Sequence, residues 1–150
     1  MKTLIVYYSA YRKNTEKIAE CMAGQFSGDI VHAKDYNEND MNNYDMVGFG
    51  SGVYNQKMHP SIFKAIEKSN LQNKYTFVFS TSAVGIKKYN NDAIKLLLDK
   101  NAKILGSFSC RGFFTTKFLD IFGGTAKGHP NNVDFQNAEK FTENIMKEIN

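Results

Sequence analysis

The sequence has few cysteines. Only Cys21 and Cys110 occur among its 150 residues, and they lie far apart. A disulfide framework would need more of them, so we interpret both as reduced thiols packed like small apolar residues. The three histidines are scattered, and no spacing of cysteine and histidine is typical of zinc binding. The sequence therefore predicts no metal site.

Long apolar runs are also missing. No stretch approaches the ~20 apolar residues that a membrane helix needs. The apolar run at residues 4–8 is too short for a signal peptide, and no small-residue cleavage site follows it. We therefore expect a cytoplasmic protein with no membrane partner. Its 150 residues suit a single domain spanning 1–150.

Positive charge is not concentrated anywhere, although the chain is basic. The formal net charge is +4 and the pI is about 9.0, which could indicate an acidic partner or nucleic acid. The lysines are spread along the chain, however, and the densest clusters are only Arg12-Lys13 and Lys87-Lys88. Because there is no basic arm and no nucleic-acid-binding motif, we expect no nucleic-acid partner.

What the sequence does contain is a regular alternation of strand and helix patterns. Short apolar runs predict buried strands at Thr3 to Tyr8, Asp29 to Ala33, Tyr44 to Phe49, Tyr75 to Phe79 and Lys103 to Phe108. Helical spacing of apolar residues predicts helices at Asn14 to Phe26, from Pro60, at Asn90 to Lys100 and after an N-cap at Asp134. Repeated β-α units predict an α/β fold, with a doubly wound five-stranded parallel sheet of order 2-1-3-4-5 in three α/β/α layers.

One connection is longer than this fold requires. Residues 109–133 carry four phenylalanines, at positions 113, 114, 118 and 122, and loops of this length are often functional. The phenylalanines could pack beneath the loop as a satellite core. Alternatively the segment is a lid or docking surface. In either case we expect its start, Cys110 to Phe113, to lie at the ligand-binding edge of the sheet.

The first loop at that edge, residues 9–15, joins a strand to a helix N-terminus. The unpaired N–H groups of a helix end favour an anion, and Ser9, Asn14 and Thr15 add side-chain donors. The loop lacks the glycine patterns of the Walker and dinucleotide-binding motifs. It is either a phosphate site or a turn in which Asn14 or Thr15 caps the helix.

Two further loops, 50–58 and 80–89, end neighbouring strands. The first brings two glycines and then Val53 and Tyr54, while the second is small and rich in donors, from Ser80 to Gly85. A flat ring needs apolar walls and backbone groups at its polar edge. Each loop alone could be an ordinary turn, but together they predict a binding site for such a ring.

Four motifs in these loops resemble those of the flavodoxin family, and the resemblance spans the whole chain. The run from Tyr8 to Ala19 looks like the flavodoxin phosphate loop, which is rich in serine and threonine and closes with Gly-Asn-Thr. The other three are Gly50 to Tyr54, Phe79 to Ser82, and Phe108 to Phe113 with Gly128-His129-Pro130. The last is similar to a short flavodoxin subgroup of bacteria and archaea.

The resemblance implies FMN as the cofactor. Its phosphate would lie on the N–H groups of residues 10–15, its ring would lie between loops 51–56 and 81–85, and Tyr54 would stack on the ring. The implied contacts are Ser9, Ala10, Tyr11, Arg12, Lys13, Asn14 and Thr15; Ser51, Gly52, Val53, Tyr54 and Asn55; Thr81, Ser82, Ala83, Val84 and Gly85; and Cys110, Arg111, Gly112 and Phe113.

The chain departs from the family pattern in three ways. Lys13 replaces the usual glycine of the phosphate loop, where a positive φ would strain a lysine. The loop beside the flavin normally contains a glycine, whereas the matching stretch here is Tyr54-Asn55-Gln56. Electron-carrier flavodoxins are typically acidic, and this chain is basic.

The resemblance implies an FMN-binding electron carrier that shuttles between redox partner proteins, a reductase and an acceptor, as a monomer or weak homodimer. The alternative is an FMN-dependent NAD(P)H oxidoreductase that reduces quinones or similar small molecules. A flavin-free regulatory module of the same topology is a third possibility. A phosphoacceptor receiver domain, however, would place an acidic pair after the first strand, where Ser9-Ala10 stands.

Overall fold

The computed structural model describes residues 1–10, 13–112 and 128–150. Within them the chain forms six strands, at Thr3–Tyr8 (β1), Asp29–His32 (β2), Met46–Tyr54 (β3), Lys57–Met58 (β4), Tyr75–Ser82 (β5) and Lys103–Arg111 (β6). It also forms four α-helices, at Asn14–Phe26 (α1), Pro60–Lys68 (α2), Asn91–Asp99 (α3) and Asn132–Ile149 (α4). Short 3₁₀ helices lie at Ala33–Asp35, Glu38–Asn43 and Lys87–Asn90.

The five longer strands form a parallel sheet in the order β2-β1-β3-β5-β6. With the short β4 set aside, this is the predicted order 2-1-3-4-5, which is confirmed. The two-residue β4 pairs antiparallel with the end of β3 and was not predicted. The order reverses between β1 and β3, so the carboxyl ends of these strands border the crevice where such sheets bind ligands.

Helices cover both faces of the sheet, as predicted for a doubly wound fold. Side chains of α2 and α3, such as Ile62 and Leu97, pack with Val6 on one face. Ile18 of α1 and Ile145 of α4 pack on the other face. The middle of β1 is almost completely buried, which explains why its sequence is a continuous apolar run.

Three strands extend further at their carboxyl ends than predicted. β3 continues from Phe49 to Tyr54, β5 to Ser82 and β6 to Arg111. Their polar ends pair across the sheet, for example Ser51 with Ser80 and Gly52 with Thr81. Backbone pairing, rather than the polarity of the side chains, decides where these strands end.

The start of α4 also differs from the prediction. Asn131, not Asp134, is the N-cap. The Asn131 side chain accepts from the Asp134 N–H, and the Asp134 carboxylate accepts from the Asn131 N–H, which together form a capping box. The sequence analysis therefore identified Asp134, the acidic residue of the capping box, whereas the N-cap itself is Asn131, three residues earlier.

Two glycines of β3 make room for aromatic rings of β5. A Cβ at Gly48 would lie 2.2 Å from the ring tip of Phe77, and one at Gly50 would lie 2.0 Å from that of Phe79. Both rings are fully buried on the side of the sheet covered by α1 and α4. The glycines therefore serve the packing of the central sheet immediately before the strand reaches its functional end.

None of the helices in the described ranges is long and apolar enough to cross a membrane.

Candidate functional site

A cavity of about 290 Å³ opens at the carboxyl edge of the sheet, where loops after β1, β3, β5 and β6 meet. The three loops predicted to form one site do converge there. The cavity is lined by Ser9, Ala10, Asn14, Thr15, Gly52, Val53, Tyr54, Thr81, Ser82, Ala83, Val84, Tyr89 and Gly112.

The described part of the first loop leads tightly into α1. The Lys13 N–H donates to the Ala10 carbonyl at 3.1 Å, and the Ser9 hydroxyl accepts from the Glu16 N–H at 3.3 Å. Lys13 is the N-cap and makes no capping bond with its side chain. The alternative in which Asn14 or Thr15 caps the helix is therefore wrong. The positive end of α1 faces the cavity beside Asn14 and Thr15.

A pair of threonine hydroxyls joins the first and third loops. Oγ1 of Thr15 and Oγ1 of Thr81 are 2.9 Å apart, and both residues are buried. Both also line the cavity. One hydroxyl of the pair donates to the other, so the second proton is available for a further acceptor. The pair fixes the start of α1 against the end of β5.

The second loop is a two-residue hairpin between β3 and β4. Asn55 and Gln56 have φ values of 50° and 64°, which is the left-handed conformation of a type I′ turn. Asparagine is well suited to this conformation, whereas Gln56 replaces the glycine that such turns usually carry. The hairpin turns the chain back directly after Tyr54 and holds its ring in the cavity wall.

An aromatic cluster supports the Tyr54 ring from behind. Tyr8 stacks on His59 with ring centroids 3.5 Å apart, and Tyr54 meets both rings edge-on, at 5.8 Å and 5.2 Å. Nδ1 of His59 accepts from the Ser61 N–H at 3.1 Å and so caps α2. Burial lowers the pKa of His59, and the nearby His32 and Lys64 lower it further.

Because the neutral form of His59 is favoured in the folded state, acid should weaken the fold here. The unfolded chain binds a proton near the ordinary histidine pKa of 6.5, so stability is lost as the pH falls through that value. We expect the free energy of unfolding, measured in urea, to fall more steeply between about pH 7.5 and pH 5 in the parent than in His59→Asn. Asparagine retains a capping acceptor. If the free energy of unfolding depends on pH in the same way in the parent and in His59→Asn, His59 is not the group whose protonation weakens the fold.

The third loop is fastened to the end of β6. The Ser82 hydroxyl accepts from the Gly85 N–H at 2.8 Å, and the Gly112 N–H donates to the Ser82 carbonyl at 2.9 Å. A Cβ on Gly112 would lie 2.8 Å from Nδ2 of Asn14. Glycine at this position therefore allows the segment after β6 to pack directly against the first loop. Four chain segments are thus locked together around the cavity.

A family model for the flavodoxin domain matches residues 4–124. The chain belongs to the flavodoxin family. An uncharacterized protein of Methanocaldococcus jannaschii is 40% identical over 149 residues, which cover 98% of this chain and 99% of the relative.

Solved structures, two of them flavodoxins, share the fold at much lower sequence identity. A flavodoxin from the domain Archaea matches with a TM-score of 0.76 at 15% identity, over 99% of both chains. Flavodoxin 1 of Bacillus cereus matches with a TM-score of 0.72 at 17% identity, over 100% of both chains. The rubredoxin:oxygen oxidoreductase of Desulfovibrio gigas matches with a TM-score of 0.73 at 16% identity, over 99% of this chain and 36% of the other.

The residues around the cavity fit the flavin that this family implies. Ser9, Asn14 and Thr15 line the cavity with the N-terminus of α1 and supply the donors that a phosphate needs. Gly52, which also lines the cavity, leaves room for the Tyr54 side chain, because a Cβ there would lie only 3.2 Å from the Tyr54 hydroxyl. Among the described residues no group of histidine, cysteine and carboxylate side chains could hold a metal ion.

Several predicted contacts lie away from the cavity wall. Ser51 is buried and accepts from the His59 N–H at 2.9 Å. Cys110 packs in the core beneath α1 and α4, where burial raises the pKa of its thiol to about 12. Lys13, Asn55, Gly85 and Arg111 also are not among the lining residues. Tyr11, Arg12 and Phe113 lie outside the described residues, as do the other three phenylalanines of the long connection.

One lining residue was not singled out from the sequence. Tyr89 lies in the 3₁₀ helix Lys87–Asn90 and contributes to the cavity wall. The sequence feature that could have identified Tyr89 is its position as an aromatic residue at the end of loop 80–89. The neighbouring Asn90 is fully buried and donates to the Ser107 hydroxyl and the Phe108 carbonyl, both at 2.9 Å, which anchors this turn to β6.

Lys13 adopts the strained conformation that its sequence position predicted, with φ 53° and ψ 31°. Lys13→Gly should raise the free energy of unfolding by about 0.5–1 kcal/mol, because removing Cβ relieves the left-handed conformation. The lysine charge contributes little, since its side chain is 75% exposed and its ion pair with Glu16 spans 3.8 Å. Urea denaturation measures the change.

Lys13→Ala is the matched control, because it removes the charge and keeps Cβ. It should not gain stability. If Lys13 instead paired with a bound phosphate, both variants would lose FMN affinity, because both lack the charge. A loss that depends on salt in both would overturn the interpretation of Lys13 as a substitute for glycine.

Proposed function

We propose that this chain binds one FMN in the cavity and carries electrons between a reductase and an acceptor protein. The observation that supports the proposal is that one cavity is lined both by hydrogen-bond donors at a helix N-terminus and by apolar and aromatic side chains. Ser9, Asn14 and Thr15 line it at and before the start of α1, and Val53 and Tyr54 line it from the end of β3.

The start of α1 and the donors beside it would hold the phosphate. The helix terminus attracts an anion, and hydroxyl donors add charge-assisted hydrogen bonds. The ring would lie between the hairpin residue Tyr54 and the loop residues Ala83 and Val84, which all line the cavity. When bound, the flavin supplies the reversible uptake of electrons. The surrounding side chains orient it and exclude water from its faces.

FMN suits this site better than FAD. The described part of the cavity offers one helix N-terminus, and the sequence contains no second fingerprint for an adenylate. Riboflavin should bind more weakly by about 100-fold or more, because it lacks the phosphate and forgoes at least two charge-assisted contacts of about 1.5–3 kcal/mol each.

The test is a titration of the apoprotein with FMN, FAD and riboflavin, followed by flavin fluorescence. We expect stoichiometric FMN binding and a clear preference for FMN over both other flavins. Equal affinity for riboflavin would rule out a phosphate site at the start of α1. Preferential uptake of FAD would rule out the proposed cofactor.

A carrier and a reductase differ in how they are reduced. Stopped-flow mixing of the FMN-loaded protein with NADH or NADPH should bleach the flavin no faster than it bleaches free FMN. Reduced protein should instead pass electrons rapidly to a haem protein. Saturable, fast reduction by either nicotinamide would support the alternative, an FMN-dependent NAD(P)H oxidoreductase.

A further inference from the structure

Two large apolar side chains are exposed beside the cavity. Val84 and Ile86 are 50% and 45% exposed, and both lie on the loop that follows β5. Val84 also lines the cavity. The other exposed large apolar residues of the described ranges lie on four separate parts of the chain. The pair therefore forms an apolar spot at the mouth of the cavity.

Exposed cations lie on the same loop and on the segments that pack against it. Lys87 and Lys88 follow Ile86 directly, and Arg111 lies against the same loop, with its backbone nitrogen 3.1 Å from the Cβ position of Gly85. Lys57 comes from β4, which packs beside the 3₁₀ turn that begins at Lys87. We call Lys57, Lys87, Lys88 and Arg111 the basic rim.

The positive charge of the basic rim is largely unneutralised. Within the described ranges, Lys87, Lys88 and Arg111 have no carboxylate in ion-pair distance, and only Lys57 is paired, with Asp92 at 3.4 Å. Both members of that pair are exposed, so the attraction between them is weak. On the side of the first loop, the Glu16 carboxylate interacts with Lys13 and with the Tyr7 hydroxyl.

We infer that the basic rim and the apolar spot dock an acidic electron-transfer protein over the mouth of the cavity. This inference rests on the proposed function and names the chemistry of the partner. The positive charges of the rim attract an acidic surface toward the cavity. Burial of Val84 and Ile86 at the centre of the contact then stabilises the complex.

A protein fits this surface better than a nucleic acid. Binding of single strands uses exposed aromatic side chains for base stacking, whereas the loop presents aliphatic ones. The rim residues lie on and beside the loop that carries the apolar spot. Docking here would also bring a partner's redox centre close to the cavity, which electron transfer requires.

The first test reverses charge on the rim. In FMN-loaded protein, Lys87→Glu with Lys88→Glu should weaken binding of an acidic probe, the soluble haem domain of cytochrome b5, by about tenfold or more at low ionic strength. The difference should shrink at about 0.5 M salt. Binding of basic cytochrome c should tighten. Calorimetry gives the affinities, and stopped-flow absorbance of the haem gives electron-transfer rates.

The matched control reverses two exposed lysines of α4, Lys140 and Lys147, which lie on the far side of the sheet. The change in net charge is identical. The affinity of Lys140→Glu with Lys147→Glu for the cytochrome b5 domain should stay within about twofold of the parent. An equal loss in both double variants would show that total charge, not the rim, governs binding.

The second test concerns the apolar spot. Ile86→Gln should weaken the cytochrome b5 complex at every salt concentration, because it removes buried apolar area, whereas Leu98→Gln on α3 should not. Leu98 is 58% exposed and is thus a comparable surface residue. Neither substitution touches the cavity wall.

Three results would overturn the docking surface. They are no measurable binding of the cytochrome b5 domain by the parent, binding that ignores the rim reversal, and a duplex DNA probe that binds more tightly than the cytochrome through the same lysines. FMN titration of every variant separates this inference from the proposed function. Unchanged FMN affinity with unchanged cytochrome binding would reject only the docking surface, whereas a parent that binds no FMN would reject the function itself.

Discussion

Replacing Gly50 by alanine is expected to lower the free energy of unfolding by about 3 kcal/mol, which is a large effect for a single methyl group. The new Cβ would lie 2.0 Å from Cζ of Phe79, and two further ring atoms lie within 2.3 Å. The Phe79 ring is fully buried among other aromatic side chains, including Phe77 at 6.3 Å between centroids, so it cannot move aside without disturbing the central sheet.

Chemical denaturation followed by circular dichroism measures this change, and two further variants isolate its cause. Gly24→Ala on the exposed side of α1 adds the same methyl with nothing within 4 Å, and should stabilise by up to about 1 kcal/mol. Gly50→Ala combined with Phe79→Leu should recover part of the loss, because the smaller side chain vacates the space of the ring. Full stability of Gly50→Ala alone would contradict the packing described for β3 and β5.

The sequence predicted those elements whose boundaries coincide with a change in hydrophobic pattern. β1 and α1 have the predicted limits because the run from Leu4 to Tyr8 and the helically spaced apolar residues from Ile18 to Phe26 end where the elements end. β3 does not, because Ser51 and Gly52 continue the strand through hydrogen bonds to β5. The polarity of a side chain carries no information about such pairing partners.

The location of the site could be predicted from the sequence, but the individual contacts within it could not. Parallel strands bring their following loops to one edge, so loops 9–15, 50–58 and 80–89 had to meet. The contribution of His59 depends on stacking against Tyr8, a residue 51 positions earlier in the chain, and no local pattern announces it. Cys110 shows the opposite error: Gly112, two residues later, lines the cavity, but the Cys110 side chain packs in the core with α1 and α4.

Replacing Thr15 by valine is expected to raise the Kd for FMN by about tenfold or more, because a hydroxyl donor to a charged phosphate contributes about 1.5–3 kcal/mol. Thr15 lines the cavity next to the N-terminus of α1. The substitution has a second consequence, because Oγ1 of Thr15 also lies 2.9 Å from that of Thr81, which is itself buried. Without the Thr15 hydroxyl, the buried Thr81 hydroxyl loses this hydrogen-bond partner, and the free energy of unfolding should fall by about 1–3 kcal/mol.

The two roles of Thr15 can be separated with riboflavin, which lacks the phosphate. If the hydroxyl donates to phosphate, Thr15→Val lowers the affinity for FMN and leaves that for riboflavin nearly unchanged. Thr15→Ser, which keeps a hydroxyl, should then bind both flavins as the parent does. If the hydroxyl serves only to hold Thr81, then Thr15→Val and Thr81→Val destabilise the fold alike, and any loss of affinity is the same for both flavins. Fluorescence titrations of the three variants with FMN and riboflavin, alongside urea denaturation, decide between these roles. The preference for FMN over riboflavin is the informative quantity, because a general loosening of the cavity leaves it unaltered.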